Sequence, residues 1–587
     1  MSYKTNDGRV AFFIIVLLAL TGLIIYRLFN LTQIRHEEIT QLVKGQYNNP
    51  DSLLVGRGNI YFSDYSATPS SPLGTGEKKI AATNKSFSYL YSNNSRVNSA
   101  SAAAKLSLIL GREEFELKSL LDQKEKSYLV IARNLTVEQS DKIKALKEAG
   151  LTVASEVVRF YSNKTLASHV LGFVGFDGNR RVGQYGVEFS YDNILNGDRR
   201  TQELLGNRTY SKLISGLRFW SKNKKEPLPE TETQEGDDLV LTIDFNIQSM
   251  AEIKLDALIK KWSAAGGSII VQDPLTGAIL AMVSSPSFDP NNYANYKLSH
   301  FINPSVQEVF EPGSSFKTIT MAGALDSGAV RPDTTYNDTG EVKEGRYTIR
   351  NFNEKANGIQ TMRQVLEHSL NTGAIFAQGR TGDDKFLNYV VGFGFGQKSG
   401  VDLGGEVSGN IANLYSGRKI NFLTASFGQG IAVTPLQLIN AYSAVANNGK
   451  LMKPYIVKEI IKSDGSVIKT EPIVLGAPIS DKTSAQLKSM LVDVVDRGFD
   501  RARIKGYDVA GKTGTAQIPD PSGGYLDNNR FVHDFVGFAP AYSPRFVVLI
   551  KMDKPQGIKF AADSLSPVFG EIARYLIRYF NIPPTRQ

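Results

Sequence analysis

The chain has 587 residues, 42% hydrophobic and 21% charged, a balance that excludes bulk disorder and a length beyond one ordinary core of ~100–200 residues. Its 67 Lys and Arg against 58 Asp and Glu give +9. That mild bias suits an anionic membrane surface or wall polymer, and without a dense basic stripe it speaks against nucleic acid. There are no cysteines, which removes disulfides, thiolate catalysis and cysteine-held metals. The histidines at 36, 169, 300, 368 and 533 show no metal-ligand spacing, so no metal or cofactor is expected.

In chain order, Val10 to Tyr26 carries no charge, and continuing to Phe29 adds only Arg27. A span needs ~20 mostly apolar residues, with a lower limit near 17. Bulky residues continue past the apolar run where a cleaved signal would end in small ones. We expect an uncleaved transmembrane signal anchor within residues 1–30. Lys4 and Arg9 before it, against Arg27 and Arg35 after it, leave orientation almost undecided. No later stretch reaches spanning length.

Residues 63–80 and 92–104 are rich in small and polar residues and read as loops. Leu106 to Leu121 and Thr136 to Gly150 carry helical spacing. Lys222 to Asp238 is charged, Pro-containing and nearly free of large apolar residues, which marks a linker. The expected division is an anchor at 1–30, an α+β pedestal and linker at 31–235, and a catalytic domain at 236–587. After the linker come a strand at Val240–Ile243, a helix at Phe245–Trp262, and two β-rich runs flanking Asp273–Gly277 as a hairpin. Strands at Phe535–Ala539 and Arg545–Lys551 and a helix at Val568–Phe580 close the chain. Strands at both ends with helices between predict an α+β fold whose antiparallel sheet pairs its first and last strands.

Three short motifs occur in this half: Ser314-x-x-Lys317, Ser369-Leu370-Asn371, and Lys512-Thr513-Gly514-Thr515. Each alone is weak. Ser-x-x-Lys recurs at Ser221/Lys224, Ser416/Lys419 and Ser466/Lys469, and a capping serine, a helix-junction asparagine or a glycine bulge would explain any one copy. Together they suit acyl transfer. Glu311-Pro312-Gly313 places Ser314 at a helix start, and Lys317 one turn on can reach its hydroxyl. A serine needs a base to become a nucleophile, and a buried lysine near positive charge can be one. Ser369 can relay a proton. Asn371 can hold a substrate carbonyl and contact the lysine. In a strand, residues 512 and 514 face one way. Lys512 and the threonine hydroxyls suit a carboxylate, Gly514 allows close approach of a ligand, and a backbone N–H there can serve an oxyanion hole.

Beyond the trio, LTIDFNIQ, DPLTGAILAMVSSPSFDPN, EPGSS before Phe316-Lys317, SFGQGIAVTPLQLINAY and FVGFAPAYSPR resemble class B, monofunctional penicillin-binding proteins over most of residues 240–587. The glutamate of EPGS resembles the division type more than the elongation type. The resemblance implies a penicillin-binding serine transpeptidase fold and a peptidoglycan D,D-transpeptidase. Ser314 would be the nucleophile toward the D-Ala-D-Ala stem peptide, Lys317 the general base and Ser369 the relay. Asn371, Lys512, Thr513, Gly514 and Thr515 would bind substrate, and β-lactams would trap Ser314. It also implies a single-pass protein of the bacterial inner membrane, with its later domains outside the cytoplasm and a SEDS-type glycosyltransferase among its cell-wall synthesis partners. A β-lactamase or a β-lactam sensor would use the same trio, a D,D-carboxypeptidase would pass the acyl group to water, and the non-enzyme alternative is an inert division scaffold with a decayed site, against which all the motif side chains are present.

The pedestal resembles the family less closely. Arg57-Gly58 fits, but Phe62 and Ser63 stand where Asp-Arg is usual. Ser162 and Lys164 follow Arg159-Phe160-Tyr161 where Pro and Gly are usual, whereas Gly183–Glu188 preserves the third motif. Arg57 and Glu188 are expected to pair structurally and take no part in catalysis.

Overall fold

The computed structural model describes residues 21–22, 56–65, 78–177, 180–196, 235–498, 500–519, 524–525 and 530–586. The expected anchor, apart from Thr21 and Gly22, and almost all of the linker lie outside them. Among the described residues, no helix is long and apolar enough to cross a membrane.

The described residues form two compact units, Asn84–Val158 and Gly56–Thr83 with Arg159 onward. The smaller unit packs helices Ser99–Leu110, Glu114–Leu121 and Val137–Ala145 around Leu90, Leu106, Leu117, Leu121, Ile131 and Ile143. Two expectations fail here. The Ser/Asn/Ala stretch read as a loop opens a helix, because Asn98 caps it by accepting from Ser101 N–H. The helical spacing at Leu106–Leu121 is two helices, broken where Gly111 takes φ +65°.

The larger unit is built on a five-stranded antiparallel sheet. In spatial order its strands are Ala510–Gln517, Phe531–Ala539, Phe546–Asp553, Gly266–Gln272 and Ile279–Ser285. The expected pairing of early and late strands holds, with Ile270 opposite Leu549. The hairpin holds too: Asp273 accepts from Leu275 N–H and the Thr276 hydroxyl, and Gly277 supplies φ +87°. Helices Phe245–Trp262 and Ala561–Tyr579 cover one face through Leu255, Leu258, Phe569 and Ile572. The opposite face packs on Lys317–Asp326 and Pro435–Ala446.

The predicted strand at Val240–Ile243 runs from Asp238 to Asp244 but does not join this sheet. It pairs in parallel with Ile60–Ser63 and antiparallel with Val457–Ile461. The last helix begins at Ala561, before its expected start, and contains Pro567.

Within this unit Glu188 is fully buried and accepts from Arg57 Nε at 2.9 Å, Arg159 Nε at 2.7 Å and the Tyr161 hydroxyl at 3.2 Å. Arg57 also donates to Asp192 at 2.9 Å. The expected Arg57–Glu188 pair is therefore present, enlarged by a second arginine.

Candidate active site

Ser314 lies in a 3-10 turn, Gly313–Phe316, that runs directly into the helix Lys317–Asp326. Gly313 has φ +55°, which a side chain would strain, and its N–H donates to Gly428 O. Ser315 donates to Pro312 O at 2.8 Å, and the Tyr442 hydroxyl donates to Ser315 O at 2.7 Å. These bonds hold the turn, so Ser314 points away from the core and is half-buried.

Ser369 sits between helices Met362–Glu367 and Asn371–Thr381, and Asn371 opens the second. Ser369 takes φ +55°, a left-handed conformation that costs a non-glycine residue energy. The junction is held from behind by a buried carboxylate. Asp338 accepts from the Thr372 hydroxyl at 2.7 Å, from Asn351 Nδ2 at 2.9 Å and from Gly340 N–H at 3.0 Å. Asn371 Nδ2 donates to Arg350 O at 2.8 Å. The lysine contact expected of Asn371 is thus replaced by a backbone contact, and Ser369 takes the lysine.

The strand Ala510–Gln517 brings Lys512. Its Nζ donates to Ser369 Oγ at 3.0 Å, while Lys317 Nζ lies 3.2 Å from the same oxygen, 2.5 Å from Ser369 O and 3.1 Å from Ser314 Oγ. A neutral amine has two N–H donors and one lone pair. The two Ser369 oxygens can take the donors, and the lone pair is left for the Ser314 hydroxyl proton. Burial, and then the neighbouring Lys512 charge, hold Lys317 well below the ordinary lysine range. Lys512 is pulled down to about 8 by burial, opposed by Asp534.

The remaining members of the third motif differ from expectation. A side chain on Gly514 would meet Asp534 Oδ2 at 2.1 Å and Pro312 O at 2.4 Å. The glycine is required where the nucleophile turn packs against the sheet, a reason the sequence does not show. Thr515 Oγ1 accepts from Ala561 N–H at 3.1 Å, which ties the strand to the last helix. Thr513 is buried, and its carbonyl accepts from Lys512 at 3.3 Å.

Three supporting groups escaped the sequence reading: Asp338, Tyr442 and Asp534. Asp534 carried a signal, a charge inside the apolar run Phe531–Ala539. Glu311, read in the sequence as part of the helix-start signal and for subtype, accepts from Gly430 N–H at 2.9 Å and the Tyr525 hydroxyl at 3.1 Å, and burial pushes it up to about 7.

The penicillin binding protein transpeptidase domain matches residues 267–574, and the penicillin-binding protein dimerisation domain matches residues 54–241. The chain is similar to Stage V sporulation protein D of Bacillus subtilis, 36% identical over 77% of this chain and 69% of that protein. It is similar to peptidoglycan D,D-transpeptidase FtsI of Escherichia coli, 29% identical over 78% of this chain and 73% of that one. Among solved structures it resembles penicillin-binding protein 3 from Mycobacterium tuberculosis in complex with aztreonam. There the TM-score is 0.64 and identity 29%, covering 73% of this chain and 92% of that chain.

Proposed function

The chain belongs to the penicillin-binding protein transpeptidase family, and from that premise we propose that it is a peptidoglycan D,D-transpeptidase acting through an acyl-enzyme on Ser314. The single observation that carries this reading is the convergence of Lys317 and Lys512 on Ser369, with Lys317 3.1 Å from the Ser314 hydroxyl.

Lys512, with Thr513, receives the terminal carboxylate of a D-Ala-D-Ala stem peptide. Ser314 Oγ attacks the carbonyl of the penultimate D-Ala as its proton passes to the Lys317 lone pair. Backbone N–H groups of Ser314 and Thr515 hold the oxyanion, and Asn371 holds the peptide. The proton returns through Ser369 to the departing D-Ala nitrogen, and an ester to Ser314 remains. An amine of a neighbouring stem peptide then attacks the ester, passes its proton back through the same groups and forms the cross-link. A β-lactam enters by the first step and stays on Ser314.

The uncharged run Val10–Tyr26 supports a membrane anchor, with residues 31–235 as pedestal and linker and 236–587 as catalytic domain. Glu311 in EPGS and the likeness to FtsI support division-type wall synthesis, with a SEDS-type glycosyltransferase as partner.

The test is labelling of the full chain in detergent with a fluorescent penicillin beside Ser314→Ala, followed by product analysis with an added amine acceptor. Stable labelling lost in the variant, and transfer to the amine, support the reading. A folded wild type that never labels, or that only hydrolyses the substrate, sinks it.

A further inference from the structure

Asp534 is buried to 0% exposure, and among the described residues neither carboxylate oxygen has a well-aligned hydrogen-bond donor, the Ser315 hydroxyl being the donor that most favours its charged form. Buried polar groups are nearly always satisfied, so such an orphan asks for an explanation. The carboxyl occupies a built place. Asp534 stands opposite Gly514 on one neighbouring strand and opposite Lys551 on the other. A side chain on Gly514 would strike its Oδ2.

Every element packed around it contributes a polar or charged group. The strand Ala510–Gln517 brings Lys512, two residues from Gly514 and on the same face. The strand Phe546–Asp553 brings Lys551, which bonds Asp553 at 2.5 Å and stands over the Phe310 ring. The nucleophile turn brings Ser315, whose hydroxyl proton goes to Pro312 O. The helix Pro435–Ala446 brings Tyr442, which bonds Ser315 O and Thr318. Lys317 and Lys512 share the Ser369 hydroxyl oxygen. The carboxyl therefore faces the charges of Lys512 and Lys551 with the Ser315 hydroxyl as its nearest donor, one that is committed to Pro312 O. A side chain kept only for packing at this place would be apolar.

We propose that Asp534 is a positioning residue for the reaction: its carboxylate holds Lys512 as an ammonium ion, so that Lys512 grips the substrate carboxylate and its charge keeps Lys317 a neutral base. This rests on the function proposed above. Burial pushes Asp534 up to about 7 and pulls Lys512 down to about 8, so the two groups exchange influence near neutral pH. Removing the carboxylate removes the charge that opposes loss of the Lys512 proton. Lys512 then deprotonates at lower pH.

The experiment is the second-order rate of Ser314 acylation by a fluorescent penicillin, from about pH 6 to about pH 9, for the full chain and its Asp534→Asn and Asp534→Ser variants. In both variants the alkaline limb moves about one pH unit lower, the shift expected from loss of one nearby opposite charge. The fraction of protein that can be labelled stays that of the wild type. A limb that stays in place in either folded variant overturns the proposal. So does failure of both variants to fold, which would make the carboxyl a structural element. A folded wild type that acylates at no pH sinks the proposed function instead.

Discussion

Two buried clusters of charge in the larger unit are built to opposite ends. At Glu188, burial pushes the carboxyl up, but Arg159 and Arg57 more than offset it and leave Glu188 below the ordinary carboxylate range. Donors from Arg57, Arg159 and Tyr161 satisfy its oxygens. At Lys317, burial and the charge of Lys512 act in the same direction, and among the described residues no carboxylate accepts from the amine. A paired charge has little reason to react. An amine pressed toward neutrality beside a hydroxyl is a base. The difference teaches where stability ends and chemistry begins in one folded unit, and substitutions in the two clusters should separate the two properties.

The largest separation is at Ser314. Ser314→Ala should abolish penicillin labelling while the thermal midpoint stays close to wild type, because among the described residues the half-exposed hydroxyl bonds only Lys317. Lys317→Ala should follow, lowering the acylation rate by about 10²–10⁴-fold in stopped-flow traces. Lys317→Arg should not rescue it, since a guanidinium keeps its charge.

Glu188→Ala should do the reverse. Losing the buried carboxylate that Arg57 and Arg159 share, with Asp192 still beside Arg57, costs about 3–5 kcal/mol in a denaturant titration, while the folded fraction acylates at the wild-type rate. The pH dependence has a defined sign. Glu188 is depressed in the folded state, so its contribution is present above the unfolded value of about 4.3 and is lost as pH falls through the folded value. Glu188→Gln should flatten that acid limb of the thermal midpoint. A loss of labelling rate in these variants at full folding would break the comparison.

The smallest effect is expected where the clusters' logics meet. Thr372→Val removes one donor from Asp338 behind the Ser369 junction. It should cost about 1–3 kcal/mol and also slow acylation several-fold, because the strained Ser369 loses support.

How much of this was legible from residue order depended on the range of the interactions. The three motifs, the hairpin at Asp273–Gly277 and the helix Phe245–Trp262 rest on local spacing and were legible. The Arg57–Glu188 pair was reachable only through family resemblance, 131 residues apart. The parallel pairing of Ile60–Ser63 with Asp238–Asp244 depends on contacts about 180 residues apart and leaves no local mark. The helix at Ser99–Leu110 was hidden because serine and alanine suit both loops and helices, and the Asn98 cap decides between them. The packing need for Gly514 was not legible, since only the folded chain shows Pro312 O and Asp534 beside it.

The account turns on Lys317 being a neutral base at physiological pH, and the pH profile of the Ser314 acylation rate tests this most directly. The account predicts a rate already at its plateau near neutral pH, falling on the alkaline side near the Lys512 value of about 8. A rate that is negligible near neutral pH and climbs toward the ordinary lysine value of about 10.4 would contradict it.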